Sequence, residues 1–173
     1  MLNFLRKSTA HRQLVRDLFA ALTRQARQPV FFRELGVADT VDGRFDMVAL
    51  HAWLVLDRLK AAGMDDVAKQ LADTIFTGFD EGLRDLGNGD MGMGRRMKKI
   101  GDAFAGRMSA YDAAADLPAM AEAVLRNVYR GEAGHEQQAR VLATYALAAR
   151  THLGLCDPAT GKLDFGAIET TYA

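Results

Sequence analysis

A chain of 173 residues, 49% hydrophobic and 25% charged, is long enough for one self-sufficient core and too ordinary in composition for a disordered or fibrous protein. Its single cysteine, Cys156, excludes an internal disulfide framework and points to a reducing compartment. Formal net charge is zero, which argues against a dedicated nucleic-acid binder, and no run approaches the ~18–20 apolar residues that span a bilayer.

The charge is unevenly spread. Arg6, Lys7, Arg12, Arg16, Arg24 and Arg27 face Asp17 alone in the first thirty residues, whereas residues 39–90 carry eleven acidic against five basic groups. Arg95, Arg96, Lys98, Lys99 and Arg107 then stand against Asp102. Two basic segments around an acidic one predict opposed surface patches. The opening MLNFLRK is too brief for a secretory signal and lacks a small-residue cleavage site, so the expected location is cytoplasmic, with the inner face of the membrane open as a peripheral site.

Apolar residues recur at helical spacing almost throughout. A first helix is expected from Ser8 or Thr9, either able to cap its free amides, to just before Pro29, with Leu14, Val15, Leu18, Phe19 and Leu22 on one stripe. Phe31, Phe32 and Leu35 fit a helical turn or an extended crossover, followed by a turn at Asp42-Gly43. Asp46 is expected to cap a second helix running to Gly63; its apolar residues cover most sides, which predicts a central position. A third helix starts at the acidic pair Asp65-Asp66, carries Val67, Leu71, Ile75 and Phe79 as a ridge continued by Leu83 and Leu86, and ends at Gly87-Asn88-Gly89-Asp90.

The fourth, about residues 93–113, places Met97, Ile100, Phe104, Met108 and Tyr111 on one stripe. Asp116 caps a fifth with Pro118 in its first turn, and a sixth, about residues 136–153, closes at Gly154 before a turn at Thr160-Gly161. The expected architecture is all-α: a single-domain helical bundle of six or more helices, with residues 1–29 as a basic N-terminal helix and 30–173 as the rest of one domain.

Chemistry is harder to find than surface. Cys-x-x-Cys and His-Glu-x-x-His are missing, and His11, His51, His135 and His152 are scattered. His51, inside the most apolar helix, reads as a hydrogen-bonded core residue. The glycines of GNGDMGMG lack the preceding strand and the Gly-Lys-Ser/Thr of a phosphate loop. No cofactor, metal, small-molecule substrate or specific DNA site is expected. What the turn does offer is recognition: Arg95, Arg96, Lys98 and Lys99 sit where cations oppose the helix dipole, an arrangement suited to carboxylates, RNA phosphates or anionic lipid. Met91, Met93 and Met97 beside them fit a pliable contact surface.

The stretch from Phe79 to Tyr111 also resembles the ubiquinol–cytochrome c chaperone family. The resemblance is carried by Phe79, Asp80, Leu83, Arg84 and Asp85, then Gly87-x-Gly89-Asp90, then Arg95-Arg96-Met97-Lys98-Lys99, Ala103-Phe104, Gly106-Arg107 and Ala110-Tyr111. Weaker similarity extends over about residues 30–155. Asn88, Gly94 and Ala105 depart from the family pattern and soften the turn.

The resemblance implies an all-helical, non-enzymatic assembly factor that holds newly made cytochrome b for the respiratory bc1 complex, in a bacterial-type form without a mitochondrial presequence. It leaves ribosome and membrane-surface contacts open. On this reading the partner-binding residues are Asp80, Arg84, Gly87, Gly89, Asp90, Arg95, Arg96, Lys98, Lys99 and Arg107. The alternatives are a helical scaffold or regulator with another protein partner, and a haem-handling enzyme built on His11.

Overall fold

A computed structural model of the chain describes residues 2–85 and 93–170, and within them every regular element is helical. In chain order these are α1 (Leu2–Ala26), α2 (Pro29–Arg33), α3 (Val41–Ala61), α4 (Asp65–Asp85), α5 (Met93–Asp112), α6 (Leu117–Val128) and α7 (Glu136–Leu155), followed by a 3-10 turn at Pro158–Thr160. The all-α bundle expected from periodicity is the observed fold.

α3 is the axis. Met47, Ala49, Leu50, Ala52, Leu54, Val55 and Leu59 are fully buried on its several sides, because α1, α4, α5, α6 and α7 all pack against it. Each fully buried leucine contributes about 1.5–3 kcal/mol. α1 contributes Val15, Leu18, Leu22 and Ala26, α4 contributes Val67, Leu71 and Ile75, and α7 adds Leu142, Ala146, Ala149 and Leu153. α6 and α7 form a hairpin through the loop at residues 129–135.

Local chemistry accounts for most boundaries. Pro29 opens α2 at its first position, where a missing N–H costs nothing. Asp116 accepts from the Ala119 N–H at 2.9 Å and caps α6 as expected. Two starts differ from the sequence-based expectation. α1 begins at Leu2, so Ser8 and Thr9 lie within it and not at its start. α3 begins five residues before Asp46: Thr40, extended at φ −119°, accepts the Gly43 N–H at 3.1 Å and is the true cap. Asp42-Gly43 is therefore the first turn of α3 rather than a separate turn.

Gly43 is required there by close approach, since a Cβ would collide with the Ala38 carbonyl oxygen. Alanine favours a helix over glycine by about 1 kcal/mol, but backbone cannot give way as a flexible side chain can. Gly43→Ala is expected to cost about 1–3 kcal/mol net, read as a lowered thermal midpoint; an unchanged or raised midpoint would contradict the tight entry into α3.

A polar thread crosses the apolar centre. Gln25 Nε2 of α1 donates to Tyr145 Oη of α7 at 3.0 Å. The Tyr145 hydroxyl in turn lies 2.9 Å from His51 Nε2, and His51 Nδ1 lies 2.8 Å from the Met47 carbonyl. A carbonyl can only accept, so Nδ1 carries the proton and Nε2 accepts from Tyr145. Burial pushes the His51 pKa down to about 4, and the neutral ring is satisfied at both nitrogens. Phe31 and Phe165 lie 5.4 and 5.5 Å from its ring, which completes a core role for this residue.

Candidate binding cleft

The first two turns of α3, the second half of α4 and the middle of α5 enclose a cleft of about 570 Å³. Its floor is apolar: Phe45, Val48, Phe79 and Ile100. Phe45 and Phe79 pack at 4.9 Å between ring centroids, and Phe76 and Phe104 continue the aromatic layer behind them. Gly78 and Gly82 keep the α4 wall low. Gly78 lets α4 close on the Phe19 ring, whereas a side chain at Gly82 would meet only open space.

The rim is cationic. Arg27 comes from just past the end of α1, Arg44 from α3, Lys99 and Arg107 from α5, and Arg130 from the α6–α7 loop, against one lining acid among the described residues, Asp42.

Beneath the rim sits Asp46, fully buried on the inner side of α3. Its Oδ1 accepts from Arg107 Nε at 2.8 Å and lies 2.6 Å from Arg107 Nη2. Its Oδ2 lies 2.8 Å from Arg130 Nη2, an ion pair whose N–H direction falls outside hydrogen-bond geometry. Desolvation is the stronger influence on this carboxyl and pushes its pKa up to about 6, although both guanidiniums favour the charged form.

Arg107 is itself only 9% exposed. Its Nη1 donates to the Ala103 carbonyl at 2.9 Å, and its guanidinium lies 4.9 Å from the Phe45 ring centroid. Arg130 reaches Asp46 from a left-handed backbone at φ 59° beside Gly131, and is the sole non-glycine residue with positive φ among those described. The Tyr111 hydroxyl is buried near this charge group without a hydrogen-bond partner among the described residues, and burial and the Asp46 charge push its pKa up.

The structure divides the residues that the sequence singled out. Lys99 and Arg107 line the cleft. Arg95, Arg96 and Lys98 are exposed on the first turns of α5, where Lys98 pairs with Asp102 at 3.0 Å. Asp80 is half-buried on α4 and Arg84 lies in that helix's last turn. Gly87, Gly89 and Asp90, with Met91, lie outside the described residues. His11 is half-buried on α1, its Nε2 without a hydrogen-bond partner among the described residues.

Sequence reasoning missed Asp46 as an ion-pair centre, and missed Arg27, Arg44 and Arg130 as its neighbours on the rim. Arg27 carried one usable signal, as the last cation of the basic segment before Pro29. Arg130, between Tyr129 and a glycine, carried none.

What this arrangement can do is hold charge over an apolar floor. Both oxygens of the buried Asp46 carboxylate face guanidiniums, so that group offers no free proton acceptor to the opening. No group of three His, Cys, Asp or Glu among the described residues could hold a metal ion. None of the described helices is long and apolar enough to cross a membrane.

The profile of the ubiquinol-cytochrome C chaperone family matches residues 33–160, which takes in α3 to α7 and most of the cleft. The chain belongs to the ubiquinol-cytochrome c chaperone family. Among solved structures, this chaperone-family chain is similar to the crystal structure of the Cbp3 homolog from Brucella abortus, at 34% identity over 96% of each chain and a TM-score of 0.87. No curated protein matches it. The family segment begins after Arg27, so one cation of the rim is contributed from outside it.

Proposed function

We propose that this chaperone-family protein is a non-catalytic assembly factor whose client is newly made cytochrome b of the bc1 complex, received on the face formed by α3, α4 and α5. The observation that carries the reading is the cleft: an apolar floor ringed by cations, with its buried carboxylate already committed to two arginines. Such a surface holds an unfinished polypeptide by reversible contact and sets up no nucleophile and base among the described residues.

On this reading Arg95, Arg96, Lys98 and Lys99 form the outer, solvent-facing part of the contact, and Arg107 positions the floor from behind. Asp80, Arg84, Gly87, Gly89 and Asp90 belong to the same proposed contact. The Lys98–Asp102 pair is exposed and opposes client contact by little.

In-cell crosslinking of the tagged protein, with pulldown and mass spectrometry, tests the client directly. Replacing Arg95, Arg96, Lys98 and Lys99 together with alanine should reduce recovered cytochrome b at least about ten-fold, the equivalent of one good charged contact. Helical content should stay unchanged, since all four side chains are exposed. Recovery of some other protein in place of cytochrome b, unaffected by the substitutions, would favour a scaffold with an unrelated partner.

A further inference from the structure

The cations of the cleft fall into two groups. Arg44, Arg107 and Arg130 are each engaged by an acid of this same chain: Asp39 holds the first at 2.7 Å, and Asp46 holds the other two. The side chains of Arg27 and Lys99 are exposed and have no partner among the described residues. They enter from different parts of the chain, Arg27 just past the end of α1 and Lys99 from α5, above an apolar floor. Three of the cleft's cations are thus committed to acids of the chain, one of them the buried Arg107 and one of them the exposed Arg44, and Arg27 and Lys99 remain open among the described residues.

We propose that the cleft receives a short, extended apolar segment of a client polypeptide flanked by carboxylate side chains. Its apolar residues lie on Phe45, Val48 and Ile100, and its carboxylates meet Arg27 and Lys99. The inference rests on the chaperone reading above and adds the chemistry by which the client is chosen. About 570 Å³ is the volume of a small-ligand site and accommodates a few side chains. A helix of about 10–12 Å diameter could lay only one face on such a space, whereas an extended stretch can enter it. A fatty acid brings a single carboxylate for the two cations to share. A peptide can bring a carboxylate to each.

The acidic flanks also supply selectivity. An apolar segment lacking them fills the floor but forms no charge-assisted hydrogen bond, each of which is worth about ten-fold in affinity. Segments flanked by lysine or arginine are repelled by the rim.

The test uses the full chain and two fluorescein-labelled hexapeptides, alike in their leucine, phenylalanine and valine content, one with two glutamates and the other with glutamines. Fluorescence polarisation should show the acidic peptide binding at least about ten-fold tighter than its amide twin. In the Arg27→Gln/Lys99→Gln variant the two should bind alike, at the amide level. Gly82→Leu, which projects into open space in the cleft, should weaken both.

Equal affinity of the twins for the native protein overturns the proposal, as does an acid preference that survives loss of both cations. So does dodecanoate displacing either peptide with no acid preference between them, which would make the cleft a lipid site. Cytochrome b captured in cells alongside indifferent peptides overturns the cleft chemistry and leaves the client assignment standing. An acid preference with no cytochrome b captured does the reverse.

Discussion

Asp46→Ala is expected to lower the free energy of unfolding by about 3–5 kcal/mol, the cost of leaving a buried charge without its partner. The stranded group is Arg107, 9% exposed and held otherwise, among the described residues, by the Ala103 carbonyl and the Phe45 ring. Arg130 is half-exposed and can turn to water, so it contributes less to the loss.

The converse, Arg107→Met, strands the carboxylate instead, which then takes up a proton. Because desolvation of the two charges offsets most of their attraction, the double variant Asp46→Leu/Arg107→Met should recover most of the stability lost in either single change. Denaturant unfolding followed by circular dichroism measures all three. Single variants that each lose less than about 1 kcal/mol would show that the pair is solvated and not buried. The functional consequence is separable: the double variant should fold yet lose the guanidinium that holds Phe45 in the cleft floor.

The second large effect is a pH dependence centred on His51. Its folded pKa, about 4, lies below the ordinary value of 6.5. Between those values the unfolded chain binds a proton that the folded chain refuses, so stability is complete above pH 6.5 and is lost as pH falls toward 4. By pH 5 the loss is about 2 kcal/mol.

Asp46 acts in the opposite sense. Its folded pKa, about 6, lies above the ordinary 3.8, so its contribution is full below 3.8 and is lost as pH rises through 6. Moving from pH 7 to pH 5 therefore returns about 1 kcal/mol. His51 wins, but the native profile is flattened by the opposition. His51→Leu isolates the effect: the stability difference between native and variant should shrink by about 2 kcal/mol from pH 7 to pH 5. A difference that stays constant would mean that His51 is not buried in its neutral form.

The helices were legible because helical periodicity is a local signal. The all-round apolar character of Met47 to Leu59 placed that helix at the centre, and it is there. Boundaries set by capping were legible where one cap stood alone, as at Asp116, and misread where candidates competed. Asp46 precedes an apolar run just as a capping aspartate does. What distinguishes it is a guanidinium sixty-one residues away, which no local pattern carries.

The same limit governs the cleft. Lys99 and Arg107 were visible as part of a cationic run on one helix. Arg27, Arg44 and Arg130 belong to three other parts of the chain, and only the packing around α3 brings them to a common rim. Nor could sequence tell which cations were already neutralised, since Asp39, Asp46 and Asp102 look alike until their neighbours are known.

The position of α3 has a consequence for the order in which the molecule comes apart. A helix packed on five others can release its backbone amides only when the whole bundle opens, whereas a peripheral helix can fray on its own. Val41, Phe45 and Val48 of the cleft belong to that axis. The surface that would meet an unfolded client is thus anchored in the last part of the chaperone to lose its own structure.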